Sequence, residues 1–146
     1  LELDNGEVLT EGAMILQWIA DQHPECEVIP LHGTKERYQV IEWLNYIATE
    51  LHKGMGPLFG SYFDDKARAH ILSAVHGKLN FVNKHLEKNQ YLLGSNFSVA
   101  DAYLYNIMRW PHFLKIDISS YQAIGKFMER IDARPSVQAS LQAERG

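Results

Sequence analysis

Cysteine is all but missing from this 146-residue chain, with Cys26 as its one example. No internal disulfide can form, and a single thiol fits a reducing compartment, the cytoplasm by default. Long apolar runs are lacking too. None approaches the roughly 20 residues that a membrane-spanning helix needs, and no signal-peptide pattern is visible. Strong charge of one sign is absent: 14 Lys and Arg face 18 Asp and Glu, for a net charge of −4. The basic residues are scattered, which argues against nucleic acid or an anionic membrane as partner. The chain has no fixed-period repeat and no low-complexity tract, and its first residue is Leu rather than Met.

What is present is an ordinary globular composition, 46% hydrophobic and 22% charged, large enough for one substantial core. Residues 1–22 read as the end of a domain. Leu1-Glu2-Leu3 and Glu7-Val8-Leu9 alternate apolar and polar residues around Asp4-Asn5-Gly6, a hairpin signal because Asn and Gly tolerate positive φ. Thr10-Glu11-Gly12 opens an amphipathic helix from Ala13 to Gln22, ended by Pro24. A lone hairpin with one helix is marginal in water, and nothing downstream looks like a strand. The missing strands are therefore expected before Leu1.

From residue 34 onward the periodicity is helical. A long helix capped by Thr34 is predicted to run to about Gly54, burying Tyr38, Ile41, Leu44, Ala48 and Leu51. A second, from about Asp64 to Lys88, buries Ile71, Val75, Leu79, Val82 and Leu86. Residues 89–97 form a connector. A third helix runs from Ser98 to Trp110, where Pro111 kinks or stops it. Ser120 is expected to cap a fourth, carrying Tyr121, Ile124, Phe127, Met128 and Ile131, and Pro135 opens a short last one. The Ser98 helix has almost no polar face and should be central. Its Ser98-Val99-Ala100-Asp101 start has capping-box spacing, so Ser98 and Asp101 are read as a structural cap rather than as catalytic groups.

Two features carry possible chemistry. On the Thr34 helix, Glu42, Asn45, Thr49, His52 and Lys53 fall on one side, with Asn45, Thr49 and His52 within roughly 60° at helical spacing. The row suits a small polar anion, although spacing alone favours a solvated helix face with one incidental His. At the earlier helix start, Glu11 can pair with an ammonium while the free N–H groups at Gly12 attract a carboxylate. Together they would grip a zwitterion, or Thr10 and Glu11 merely cap the helix.

The segments Leu9-Thr10-Glu11-Gly12, Glu42-Trp43-Leu44-Asn45-Tyr46-Ile47, Glu50-Leu51-His52-Lys53-Gly54, Tyr91-Leu92-Leu93-Gly94 with Phe97-Ser98-Val99-Ala100-Asp101, and Arg134-Pro135-Ser136-Val137 together resemble the glutathione S-transferases. Glu-Leu-His-Lys points to the bacterial beta class. The resemblance implies a mainly α fold: residues 1–22 as the terminal hairpin and helix of a thioredoxin-like domain, 23–33 as linker, and 34–146 as an all-helical C-terminal domain. It implies that Glu11 and Gly12 bind the γ-glutamyl end of glutathione. Asn45, Thr49, Glu50, His52 and Lys53 would approach the peptide from the helical domain or a partner subunit, with His52 a possible auxiliary catalytic residue. Trp110 would lie near the thiol and the apolar co-substrate.

Glutathione would be a substrate rather than a cofactor, no metal is implied, and the partners would be a small apolar electrophile and a second subunit in a homodimer. Two departures stand out. Gly12 occupies the place where the family usually has Ser. The sulfur-activating residue, and the family's cis-proline, would precede Leu1, and Cys26 in its loop is no substitute. A complete parent is thus expected to be a transferase and this stretch alone inactive; a non-catalytic scaffold of the same fold, or a freestanding helical module, are the rivals.

Overall fold

The computed structural model describes residues 1–145. The chain opens with a hairpin whose Glu2 and Val8 pair antiparallel. Leu3 N–H donates to Glu7 O and Gly6 N–H to Leu3 O, both at 2.8 Å. Only Gly6 of the turn takes positive φ (82°). The loop is thus a three-residue turn with Gly in the left-handed position, not a two-residue Asn-Gly turn. Asn5 serves it differently, accepting from Glu7 N–H through Oδ1 at 3.0 Å.

Helix α1 (Gly12–Gln22) ends before a single 3₁₀ turn, Pro24–Cys26. Helix α2 (Lys35–Tyr46) starts where expected, with the Thr34 side chain accepting from Arg37 N–H. It then widens into a π-helical stretch, Ile47–His52, before the short α3 (Lys53–Met55) and a 3₁₀ turn at Gly56–Phe59. Helix α4 (Asp65–Leu86) is capped by the Asp64 side chain. After tight turns come α5 (Val99–Met108), α6 (Trp110–Leu114), α7 (Gln122–Asp132) and α8 (Pro135–Ala143). The architecture is mainly α.

Helix α5 packs against α1, α2, the π turn, α6 and α7. Leu104 and Ile107 are both wholly buried, so its near-absence of a polar face reflects a central position. Val75, Leu79, Val82 and Leu86 of α4 and Ile124, Phe127 and Ile131 of α7 close the same core.

Two expectations need correction. Tyr38 is 65% exposed, and the buried stripe of α2 is instead Arg37, Val40, Trp43, Leu44 and then Ile47. A side-chain pair shifts the phase: the Arg37 guanidinium reaches Asp21 on α1 with both Nη atoms, at 2.7 and 2.8 Å, which turns position 37 inward. Ser120 does not cap α7. Asn83 Oδ1, from α4, accepts the Ala123 and Ile124 N–H groups instead, at 3.0 and 3.3 Å. The helix breaks just before Pro111, as expected, and Pro111 itself sits in the first turn of α6, which tolerates its missing N–H.

Candidate functional site

The site is built from two helix segments that α5 draws together. Glu11, the residue before α1, sits at φ 66° and ψ 111°, a strained conformation for a residue with a side chain. Its carbonyl accepts from Met14 and Ile15 N–H at 2.9 and 3.0 Å, yet no side chain caps the helix. The N–H groups of Gly12 and Ala13 are therefore open to an external acceptor at the positive end of the dipole. The backbone turn also carries the Glu11 carboxylate alongside them. A Cβ placed on Gly12 would meet nothing within 4 Å.

Opposite this start lies the end of the π-helical stretch. A cavity of about 510 Å³ is lined by Glu11, Gly12, Ile15 and Leu16 on one side, Ala48, His52 and Lys53 on another, and Ala102, Tyr103 and Asn106 on the third. His52 is half-buried, and its Nδ1 lies 2.8 Å from the Tyr103 hydroxyl. Burial pushes the Tyr103 phenol up, and the negative charge of Glu11 adds to that shift. The cavity offers a carboxylate, an ammonium, an imidazole, a phenol, an amide and free backbone donors around an apolar floor. That set can hold a zwitterionic head group and one further polar end. A larger cavity of about 710 Å³ lies along residues 27–32, but holds none of the residues expected to bind glutathione.

Of the residues expected from sequence, Glu11, Gly12, His52 and Lys53 thus share one cavity. Asn45, Thr49, Glu50 and Trp110 do not line it. Asn45 and Thr49 are exposed, with Thr49 Oγ1 donating to Asn45 O at 3.0 Å. Glu50 pairs with Lys78 Nζ at 3.0 Å, which holds its carboxyl below the usual range. The widened turn is the reason: each residue of a π stretch advances less around the axis, so His52 no longer stacks over Asn45. Trp110 meets the far side of His52 edge-on, ring centroids 4.7 Å apart, and Phe59 at 5.0 Å.

Ser98 and Asp101 lie elsewhere, where Ser98 N–H and Oγ–H both donate to Asp101 Oδ2 at 2.8 Å and Leu92 N–H donates to Oδ1 at 2.8 Å. The carboxyl is fully buried, and burial pushes its pKa up against those bonds. Cys26 is exposed and outside the Glu11–His52 cavity. Sequence reasoning missed Tyr103 and Asn106. The signal was there: beyond the capping Asp101, Asn106 is the one amide in an otherwise apolar helix, one turn beyond Tyr103.

The sequence profile of the glutathione S-transferase C-terminal domain matches residues 46–135. The glutathione S-transferase GstA of Escherichia coli O157:H7 is 40% identical over 144 residues, covering 99% of this chain and 72% of that protein. The chain belongs to the glutathione S-transferase family. A ternary complex of BphK, a bacterial transferase, superposes with a TM-score of 0.97 at 39% identity, over 100% of this chain and 73% of that one. A sphingomonad glutathione S-transferase complexed with glutathione gives 0.93 at 40% identity, over 99% of this chain and 72% of that one. Within this family member no group of three or more His, Cys, Asp or Glu among the described residues could hold a metal ion, and no described helix is long and apolar enough to cross a membrane.

Proposed function

We propose that this stretch provides the helical-domain wall and the γ-glutamyl grip of a cytoplasmic glutathione transferase that joins the glutathione thiolate to small apolar electrophiles. The observation that carries the reading is the single cavity uniting Glu11, the uncapped start of α1, His52 and Lys53. Residues 1–22 then belong to the glutathione-binding domain, 23–33 to a linker and 34–146 to the helical domain. Glu11 pairs with the γ-glutamyl ammonium, and the Gly12 and Ala13 N–H groups take its carboxylate. Lys53, with His52 beside it, attracts the anionic far part of the peptide. Trp110, packed on His52, flanks the co-substrate. Asn45, Thr49 and Glu50 do not line this cavity and are assigned to glutathione bound in a second subunit.

Positioning and thiolate stabilisation supply the acceleration in such an enzyme. We assign no side chain lining this cavity as a sulfur activator, and the 146 residues alone are expected to bind glutathione weakly and not to conjugate it usefully. The test is a glutathione titration of the chain with Glu11→Ala and His52→Ala, alongside conjugation of a chloronitrobenzene. Each substitution is expected to weaken binding about tenfold, as loss of a charge-assisted bond does, while leaving the fold intact. Unchanged affinity in Glu11→Ala, or robust conjugation by the chain alone, overturns the reading.

A further inference from the structure

His52 is joined to α5 by one polar contact across 51 positions of sequence, Nδ1 to the Tyr103 hydroxyl at 2.8 Å. Trp110 covers the imidazole edge-on at 4.7 Å. The ring therefore has one nitrogen engaged and one, Nε2, without a partner among the described residues. Both residues line the cavity. Which nitrogen carries the proton of the neutral ring is set by the bond the other makes. A phenol with its pKa raised stays protonated and needs an acceptor when half-buried. Among the described residues His52 Nδ1 is the hydrogen-bond partner of the Tyr103 hydroxyl.

We propose that Tyr103 is the positioning residue of the cavity: its hydroxyl donates to His52 Nδ1, fixes the imidazole as the Nε2–H form, and so makes His52 a hydrogen-bond donor to an anionic atom of the bound peptide rather than a proton acceptor. This rests on the reading of the cavity as a glutathione site. The charged groups that line the cavity with His52 are Glu11, from the start of α1, and Lys53; the α5 residues lining it, Ala102, Tyr103 and Asn106, carry no charge. A donor at Nε2 is consistent with that setting, since the opposite end of the cavity is already acidic through Glu11. Tyr103 touches no reacting atom in this scheme. It acts through His52.

The tautomer of His52 is directly readable by long-range 1H–15N correlation spectroscopy on ¹⁵N-histidine-labelled chain, with glutathione titrated into the same sample. In the unsubstituted chain the neutral ring is expected to be protonated at Nε2. In Tyr103→Phe the preference is lost to a mixture of both forms and glutathione affinity falls about fivefold to tenfold, the size of one hydrogen bond. His52→Gln keeps an N–H donor near the Nε2 position and is expected to retain affinity within about threefold, whereas His52→Glu, an acceptor, abolishes binding.

Protonation at Nδ1 in the unsubstituted chain overturns the proposal, and this measurement needs no variant to fold. So does a Tyr103→Phe chain with unaltered tautomer, or one with altered tautomer and unaltered affinity. If glutathione moves no His52 resonance at all, the glutathione reading of the cavity fails, while the tautomer measurement still decides whether Tyr103 orients the ring.

Discussion

At the scale of single residues, the strongest constraints fall where a side chain replaces missing backbone partners. Asp101 is fully buried and accepts the N–H groups of Leu92 and Ser98 together with the Ser98 hydroxyl. Asp101→Ala would leave two buried N–H groups without acceptors, at about 1–3 kcal/mol each. The expected result is a loss of roughly 3 kcal/mol in thermal or urea unfolding, with glutathione titration shifts at His52 retained; loss of binding with an unchanged melting temperature would make Asp101 a ligand-site residue instead. Gly12 is the opposite case. Its φ is not positive, and a Cβ there meets open space. Gly12→Ser should stabilise α1 by roughly 0.5 kcal/mol through reduced backbone freedom. It also restores the hydroxyl the family usually has and should tighten glutathione about threefold by calorimetry, the low end of a hydrogen bond. Glu11 next door holds its strained φ because its carbonyl closes the first turn of the helix while its side chain faces the cavity.

At the scale of elements, α1 is fastened to α2 by charge as much as by packing. The Arg37 guanidinium is 4% exposed and forked on Asp21, which is 27% exposed, with further bonds to Pro30 O and Gln17 Oε1. The Arg37 bonds hold the Asp21 carboxyl below its ordinary value, and His32 at 3.2 Å adds to this. A carboxyl lowered by folding adds stability that is fully present above its unfolded pKa, near 4, and lost as pH falls through the lower folded value. Urea unfolding of Asp21→Asn should therefore show a deficit at pH 7, of about 1–3 kcal/mol because a buried guanidinium loses its counter-charge. That deficit should shrink and then vanish as pH falls through the lowered folded value of Asp21, where the native carboxyl becomes protonated as well. A deficit independent of pH would place the effect in packing. Elsewhere, Asn83 plays the comparable neutral part, joining α4 to the start of α7 through its amide oxygen.

At the scale of the molecule, the segment between α1 and α2 is tied down: Val99 N–H, at the start of the central helix, donates to Val28 O at 2.9 Å. Helix α1, that segment and α5 are thereby held in one packing unit, which keeps Glu11 opposite His52. Apolar residues nevertheless remain on the outer side of α1 and α2, with Trp18 38%, Ile19 42% and Tyr38 65% exposed. The dimer implied by family resemblance would use the helices at 11–22 and 34–54. Sedimentation of the protein at micromolar concentration is expected to give a dimer. A strictly monomeric profile would refute the assignment of Asn45, Thr49 and Glu50 to a neighbouring subunit's ligand, because no neighbour would exist.

The sequence by itself determined what depends on neighbours a few residues apart. Apolar spacing in residues 71–86 and 121–131 marked the buried faces of α4 and α7, because a helix repeats every 3.6 residues whatever it packs against. The absence of a polar face in residues 99–110 marked α5 as central, and Asn5-Gly6 marked the hairpin even though the turn closes with Gly6 alone at positive φ. The pairs Glu11-Gly12 and His52-Lys53, which line one cavity, stood out in the sequence as a helix start and a helix face. Only tertiary structure decided the rest. Arg37 rather than Tyr38 faces inward because Asp21, 16 positions earlier, is there to meet it. No Gly or Pro lies within Ile47–His52 to announce the π turn, yet that turn separates His52 from Asn45 and delivers it to the cavity. Tyr103 joins His52 across 51 positions, a contact created by the crossing of two helices. Local propensity carries no information about such crossings; they are set by how the buried faces fit together in three dimensions.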